Sequence, residues 1–353
     1  MKYFLLFSIL FFNFLFANTS KDVLLLHSYH KGYTWTDDIS SQIEKNFKDN
    51  KNVELTTVYM DSKRIDTSSY LNNLANLYKE QFQNRKFDLI IVSDNTALDF
   101  MIKYHDFLFK DTPVLFCGIN DFDSSILDVN NIRNFMSGVA EEVDLEKNFE
   151  LISKLHPKLK NLLIINDTST TGYAVKKGLD PIIKKYEKKF NIEYTDDLEI
   201  NNLKQKVSSL DKENSVILFV LLFKDTTGKY FTHKQSFAQV KKVSQVPIYG
   251  LWDFYLNNGI VGGLLTSAIA QGDAVSKMAI EVLNGKKISD IPILEKSPNV
   301  YMFDYNELKK FNLDVSKQID NPIIINEPSS VYKEHTKFFL LSIIIILILS
   351  IIV

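Results

Sequence analysis

The sequence has a single cysteine, Cys117, in 353 residues. One thiol excludes an internal disulfide and any metal site built from several cysteines. Cys117 closes an apolar run, with no Cys–His pair suggested beside it, and reads as a small core residue. Arginine is nearly as scarce. Arg64, Arg85 and Arg133 are the only ones among 41 basic residues. Together with abundant Asn, Ile and Phe, that bias reads as genome composition rather than chemistry. The formal net charge of −2 gives no basis for a nucleic-acid partner. A Gly-x-Gly-x-x-Gly stretch, a phosphate-loop lysine motif and a Gly-x-Ser-x-Gly elbow are all missing. No catalytic residue, no cofactor and no enzyme activity are expected in this region. Residues 21–330 hold no short-period repeat and no low-complexity linker.

What is present fits a folded protein. The chain is 45% hydrophobic and 24% charged, and its length suits two domains. Residues 1–17, MKYFLLFSILFFNFLFA, have the layout of a secretory signal peptide. Leu15 at the minus-three position meets the small-residue rule only in part, so an uncleaved anchor stays open. Phe338 to Val353, FFLLSIIIILILSIIV, is sixteen residues without a charge. A spanning helix needs roughly twenty apolar residues. A buried core helix would show a polar face, and this run has none. It reads as a transmembrane helix cut short. The expected location is the bacterial inner membrane, with the binding domain in the periplasm.

Between the ends, strand-length apolar runs alternate with amphipathic segments. The runs are 23–26, 55–60, 88–93, 113–118, 162–166, 216–223 and 247–252. Helical spacing appears over 39–47, 70–82, 145–155 and 175–190. The alternation predicts βαβ units and parallel sheets covered by helices on both faces. In such folds, ligands sit outside the carboxyl ends of the strands. The residues there are rich in Ser, Thr, Asn and Asp, which cap helix N-termini. The same termini attract anions. Asn95-Thr96 or Thr168-Ser169 would hold a carboxylate. Each loop taken alone could simply cap its helix. Six such loops on one edge, two of them carrying Trp, favour a shared pocket.

The stretch Pro247 to Pro292, PIYGLWDFYLNNGIVGGLLTSAIAQGDAVSKMAIEVLNGKKISDIP, resembles the C-terminal signature of type I periplasmic binding proteins. It is most similar to the ABC-transporter substrate-binding-protein-like group, found as extracytoplasmic sensor domains of membrane histidine kinases and diguanylate cyclases. VLLLHSYHKGYTWTDDISSQIEKNF, SDNTALDF and PVLFCGIND match the same group, over roughly 21–325. Gly259, Gly262 and Gly263 suit a turn into a strand where backbones approach closely. Gln271-Gly272-Asp273 is expected to start a helix that runs Ala274 to Leu283 and ends at Asn284-Gly285, a C-cap.

The resemblance implies an α/β protein of two Rossmann-like lobes that close on a ligand. Lobe one is expected at 21–138 and 268–296, and lobe two at 139–267 and 297–330. The three crossings fall near 137–139, 266–267 and 297–298. The implied ligand-binding residues in lobe one are Ser28, Tyr29, Trp35, Asp94, Asn95, Thr96, Asn120 and Asp121. Lobe two adds Asp167, Thr168, Ser169, Asp225, Thr226, Trp252 and Asp253. Tyr29 or Trp35 would stack on a flat ligand, and Asp225 or Asp253 would pair with an amine. Trp35 and Trp252 each have a packing role as the alternative. Transporter-linked relatives bind aromatic amino acids, so an amino acid or small carboxylate is implied. Asp167-Thr168-Ser169 departs from the polar set typical of those relatives.

His27 and His30 lack a third partner nearby, so no metal site is expected. Asp37-Asp38 and Glu141-Glu142 read as solvated helix ends. Three functions compete. A membrane-anchored sensor domain of a histidine kinase or cyclase comes first. A tethered solute-binding protein of a transporter is the alternative, and an ectoenzyme is the third. A homodimer stays open, with no seam legible in the sequence.

Overall fold

The computed structural model describes residues 20–48, 52–130, 132–195, 199–328, 340–343 and 350. The 1–17 segment, and most of the 338–353 run, lie outside the described residues. Leu340, Leu341 and Ile343 sit in a helical stretch and are exposed. Among the described residues, no helix is long and apolar enough to cross a membrane.

The first apolar run becomes β1 (Lys21–His27), the strand around which the first sheet is built. Its neighbours are β2 (Val53–Tyr59), β3 (Leu89–Ser93), β4 (Val114–Asn120) and β5 (Met136–Glu141). The order is β2-β1-β3-β4-β5, with every pairing parallel. The connecting helices are α1 (Thr34–Lys48), α2 (Ser68–Phe82), α3 (Asn95–Leu108) and the short α4 (Ser125–Val129). Successive strand residues face opposite sides. Val23 and Leu25 therefore pack with Ile39 and Ile43 of α1, while Leu24 and Leu26 pack with Tyr78 of α2 and Phe100 of α3. Both faces of β1 are apolar because both are covered.

After β5 the chain builds a second parallel sheet. The elements are α5 (Leu145–Leu155), β6 (Asn161–Ile165), α6 (Thr170–Tyr186), β7 (Asn191–Thr195), α7 (Ile200–Ser208), β8 (Ser215–Phe219), α8 (His233–Val243) and β9 (Ile248–Gly250). Their order is β7-β6-β8-β9. The next strand, β10 (Gly262–Leu265), runs beside β9, with Val261 N donating to Ile248 O and Thr266 N donating to Leu251 O. Here the backbones crowd. A Cβ on Gly262 would lie 2.1 Å from Met302 O, and one on Gly263 would lie 2.6 Å from Asn148 Oδ1. The space goes to Asn148, whose amide donates to Leu264 O and accepts from Leu264 N, both at 2.9 Å.

The chain then returns. Helix α9 (Ala268–Leu283) packs on α1 and against β4 and β5 of the first sheet. It begins at Ala268, capped by Ser267, ahead of the Gln271-Gly272-Asp273 start that the sequence suggests. Buried Gln271 accepts from Gly118 N at 3.0 Å and donates to Ala140 O at 2.9 Å and Ser297 Oγ at 3.2 Å. Finally β11 (Val300–Asp304), α10 (Tyr305–Lys310) and β12 (Ile323–Ile325) rejoin the second half, with β11 antiparallel to β10.

Three strand assignments differ from the sequence reading. Val216–Phe223 is not one strand, because β8 ends at Phe219 and the chain then leaves the sheet. The first sheet extends to Glu141, its last pairing being Asn120 with Glu141. Strand β7, at the edge, alternates half-buried and exposed residues and gives no apolar run.

Candidate ligand-binding site

The strand order of the first sheet reverses between β1 and β3, where a crevice opens at the carboxyl edge. His27 and Ser93 are register partners there. The buried His27 ring is held by Ser93 Oγ at 2.7 Å and Ser40 Oγ at 2.6 Å, and Tyr59 stacks on it. Burial pushes His27 down to about 3, so the imidazole is neutral. It is a structural clamp. The next residue, Ser28, is buried too. Its hydroxyl donates to Ser93 O and accepts from Ala97 N, fastening the start of α3.

The residues beyond these clamps meet across the gap between the two sheets. From the first sheet come Tyr29, Tyr33, Trp35, Lys63, Asp94, Asn120 and Glu141. From the second come Thr171, Leu221, Phe223, His233, Trp252 and Phe254. They enclose a cleft of about 370 Å³, counting space open to solvent. Contacts bridge the gap at its mouth. Tyr33 Oη lies 2.6 Å from His233 Nε2, and the Lys63 ammonium lies 5.6 Å from the Phe223 ring. An outer hollow of about 1370 Å³ shares Tyr33, Lys63, Phe223, His233 and Phe254 with this inner pocket.

Two buried carboxylates dominate the chemistry. Asp94 accepts from Trp35 Nε1 at 3.0 Å and from Ser93 Oγ at 3.0 Å. Glu141 accepts from Trp252 Nε1 at 2.9 Å and Asn120 Nδ2 at 3.2 Å. Burial pushes Asp94 up to about 7 and Glu141 up to about 8, and the like charge of Asp94 raises Glu141 further. The hydrogen bonds and Lys63 oppose the rise in both. Asp94 also holds an unusual backbone, φ 68° and ψ 161°. That region is essentially reserved for glycine and costs about 1–3 kcal/mol. Asp94 lines the crevice together with both indoles, and Trp252 stacks on Phe254 there. Aromatic walls and buried acids recognise an organic cation.

Of the residues implied by the resemblance, the structure brings Tyr29, Trp35, Asp94, Asn120 and Trp252 into this pocket. The others lie elsewhere. Asn95 is exposed, its amide paired with the backbone of Asn120. Thr96 does not line the pocket. Asp121 lines a neighbouring groove. Asp167 sits behind the wall, binding Ser169 and the Phe223 N–H. Thr168 is exposed, and Ser169 caps α6. Asp225 closes its own turn on Thr227 and Lys229, which holds its carboxyl below the usual range. Thr226 is exposed in that turn. Asp253 follows Trp252 but stays outside the pocket. Neither Asp225 nor Asp253 is placed to meet an amine, and Asp94 and Glu141 are.

Glu141 corrects the sequence reading directly. It is 5% exposed and ends a strand, so it is no solvated helix end. Tyr33, Lys63, Phe223, His233 and Phe254 went unrecognised because none of them ends a strand: Tyr33, Lys63 and Phe223 come from loops, His233 opens α8 and Phe254 lies in a short helical turn. Cys117 is fully buried in the core. His30 lies 3.4 Å from Asp61, and among the described residues no three His, Cys, Asp or Glu side chains gather as metal ligands.

Residues 37–321 match the family described as ABC transporter substrate binding protein, a binding family rather than an enzyme family. A tyrosine-binding protein from Clostridioides difficile is 23% identical over 211 residues. The chain spans 58% of the length of that curated relative, using 58% of its own. A ligand-free, open substrate-binding protein with adhesive properties from Clostridium difficile superposes with a TM-score of 0.62 at 17% identity, over 86% of this chain and 99% of that one. An ABC domain from Streptococcus pneumonia in complex with L-Trp gives 0.56 at 17% identity, over 87% and 100%. A Bacillus halodurans solute-binding protein with bound myo-inositol gives 0.51 at 13% identity, over 80% and 94%. At these identities the structural likeness concerns the fold. The family match covers most of the sequence, and the chain belongs to the ABC transporter substrate-binding protein family.

Proposed function

We propose that this chain binds an amino acid, one with an aromatic or apolar side chain, in the cleft between its two lobes. The observation that carries the reading is the paired arrangement in which Asp94 accepts from the Trp35 indole N–H and Glu141 from that of Trp252. Each half of the molecule supplies an indole, and both acids come from the first sheet. An ammonium ion would satisfy the acids, and a flat side chain would pack on the aromatic residues that line the cleft. The tyrosine-binding relative and the L-Trp complex point the same way. Screening the full chain, purified in detergent, against amino acids and other metabolites by thermal shift tests this. A ligand that binds only the folded state raises the midpoint. Midpoints that stay fixed for every amino acid, with folded protein confirmed, count against it.

We further propose that the domain lies outside the cytoplasm, tethered by the 338–353 run, and reports ligand to a histidine kinase or cyclase module. The uncharged composition of that run supports tethering. Delivery to a transporter is the second reading, favoured by the family match. Ligand-dependent phosphotransfer or cyclic dinucleotide synthesis by the intact gene product supports signalling. Loss of labelled-ligand uptake on gene deletion supports delivery.

A further inference from the structure

The inner pocket holds two carboxylates but only one cation, Lys63. Lys63 lies in the turn after β2. That turn is fixed in place, because Ser62 donates to Ser28 O through both its N–H and its hydroxyl, each at 2.8 Å. The Lys63 ammonium therefore has a defined position. It sits 4.4 Å from the centre of the Tyr29 ring and 5.6 Å from those of Tyr33 and Phe223. Among the described residues it makes no ion pair and no hydrogen bond. Its neighbours are served differently, for Arg64 and His30 share Asp61.

Lys63 feels the charges of Asp94, Glu141 and Asp167 but contacts none of them, and ring faces are what it touches, so it has room for a direct anionic partner. Two groups near the start of α3 that could meet a ligand carboxylate are already engaged, for Ala97 N–H is taken by Ser28 Oγ and the Asn95 amide is paired with Asn120. Building on the amino-acid reading above, we propose that Lys63 takes the ligand's carboxylate while Asp94 and Glu141 take its ammonium. Lys63 then sets the specificity of the site for zwitterionic amino acids over the amines that lack the carboxylate. Burial lowers the proton affinity of Lys63, and the nearby charges of Asp94, Glu141 and Asp167 offset that only in part. An arriving carboxylate adds a direct anionic contact.

The test measures calorimetric binding of L-tyrosine, tyramine, L-tryptophan and tryptamine to the full chain and to Lys63→Met and Lys63→Arg. Lys63 is an exposed residue, so both variants should fold, and circular dichroism checks that they do. The expected result is selective. Lys63→Met weakens the amino acids by roughly 10- to 100-fold, as loss of a charge-assisted contact does. The amines change by less than about threefold. Lys63→Arg recovers part of the amino-acid affinity. Equal losses for amino acid and amine, or no loss for the amino acid, overturn the role of Lys63 and leave the amino-acid reading standing. Failure of all four compounds to bind the unmodified chain overturns both.

Discussion

The Trp252 indole donates to Glu141 Oε1 at 2.9 Å, joining the end of β9 to the end of β5 across the gap between the sheets. A ring that would otherwise wall the ligand is thus also the partner of a buried acid. Trp252→Phe keeps the wall and removes the donor. Leaving a buried acceptor without its partner costs about 1–3 kcal/mol. Thermal unfolding of the variant should show that loss, larger at pH 8.5 than at pH 6, because a charged acceptor needs the donor more. A variant as stable as the parent at both pH values argues against the bond.

The two acids make stability depend on pH. Their folded proton affinities are raised, to about 7 for Asp94 and about 8 for Glu141, against 3.8 and 4.5 as ordinary values. Between those limits the folded state holds protons that the unfolded chain has released. Stability of the free protein therefore falls as pH rises from about 4 to about 8. Glu141→Gln removes one of the two groups and should flatten the upper part of that slope. Chemical denaturation across this range reads both. A slope that survives unchanged in Glu141→Gln would assign it to other groups.

The same acids must be charged to hold an ammonium. Affinity for an amino acid should rise with pH through about 7 to 8 and then level off. Calorimetry in buffers of different ionisation enthalpy should also detect protons released on binding at pH 6.5. Binding independent of pH, with no proton release, would sink the pairing of ligand ammonium with these acids.

The backbone of Asp94 allows a sharper test. Asp94→Ala and Asp94→Gly both delete the carboxyl, but only glycine relaxes the φ 68°, ψ 161° conformation. At ordinary positions glycine is less stable than alanine by roughly 0.5–1 kcal/mol. Here the order should invert, with Asp94→Gly more stable by about 1–3 kcal/mol. Both should lose ligand affinity. Denaturation midpoints in the ordinary order would show that the strain is absent in solution.

Tyr33 and His233 touch across the mouth at 2.6 Å. Tyr33→Phe removes that contact and little else. Ligand dissociation, followed by stopped flow, should speed up by about 3- to 10-fold, since one hydrogen bond is worth about 0.5–1.5 kcal/mol. An unchanged rate would mean the contact does not hold the mouth.

Much of the fold was legible because strands covered on both faces print continuous apolar runs, as Val23–Leu26 and Leu89–Val92 do. Strand β5, Met-Ser-Gly-Val-Ala-Glu, carries small and polar residues and escaped notice. Its loss concealed Glu141, half of the acid pair. Asp94 and Trp252 were found because each directly follows an apolar run. Lys63 and His233 were not, since their place depends on how turns fold back over the cleft, and nothing in local pattern records that. The hydroxyls and carboxylates of Asp225 and Ser169 misled for the converse reason. A side chain able to bind a ligand is equally able to close its own turn, and these do.

Gln271 has a consequence for motion. Its side-chain amide donates to Ala140 O at the end of β5 and to Ser297 Oγ before β11, and its backbone N–H bonds Ser267 O at the start of α9. On the two-lobe reading these are points where the chain passes between the halves. If the halves swing, Gln271 lies near the axle, so parts close to it would travel little and parts far from it, Tyr33 and His233 among them, would travel most. Such a rotation would part the mouth and leave the packing of α9 on the first sheet intact.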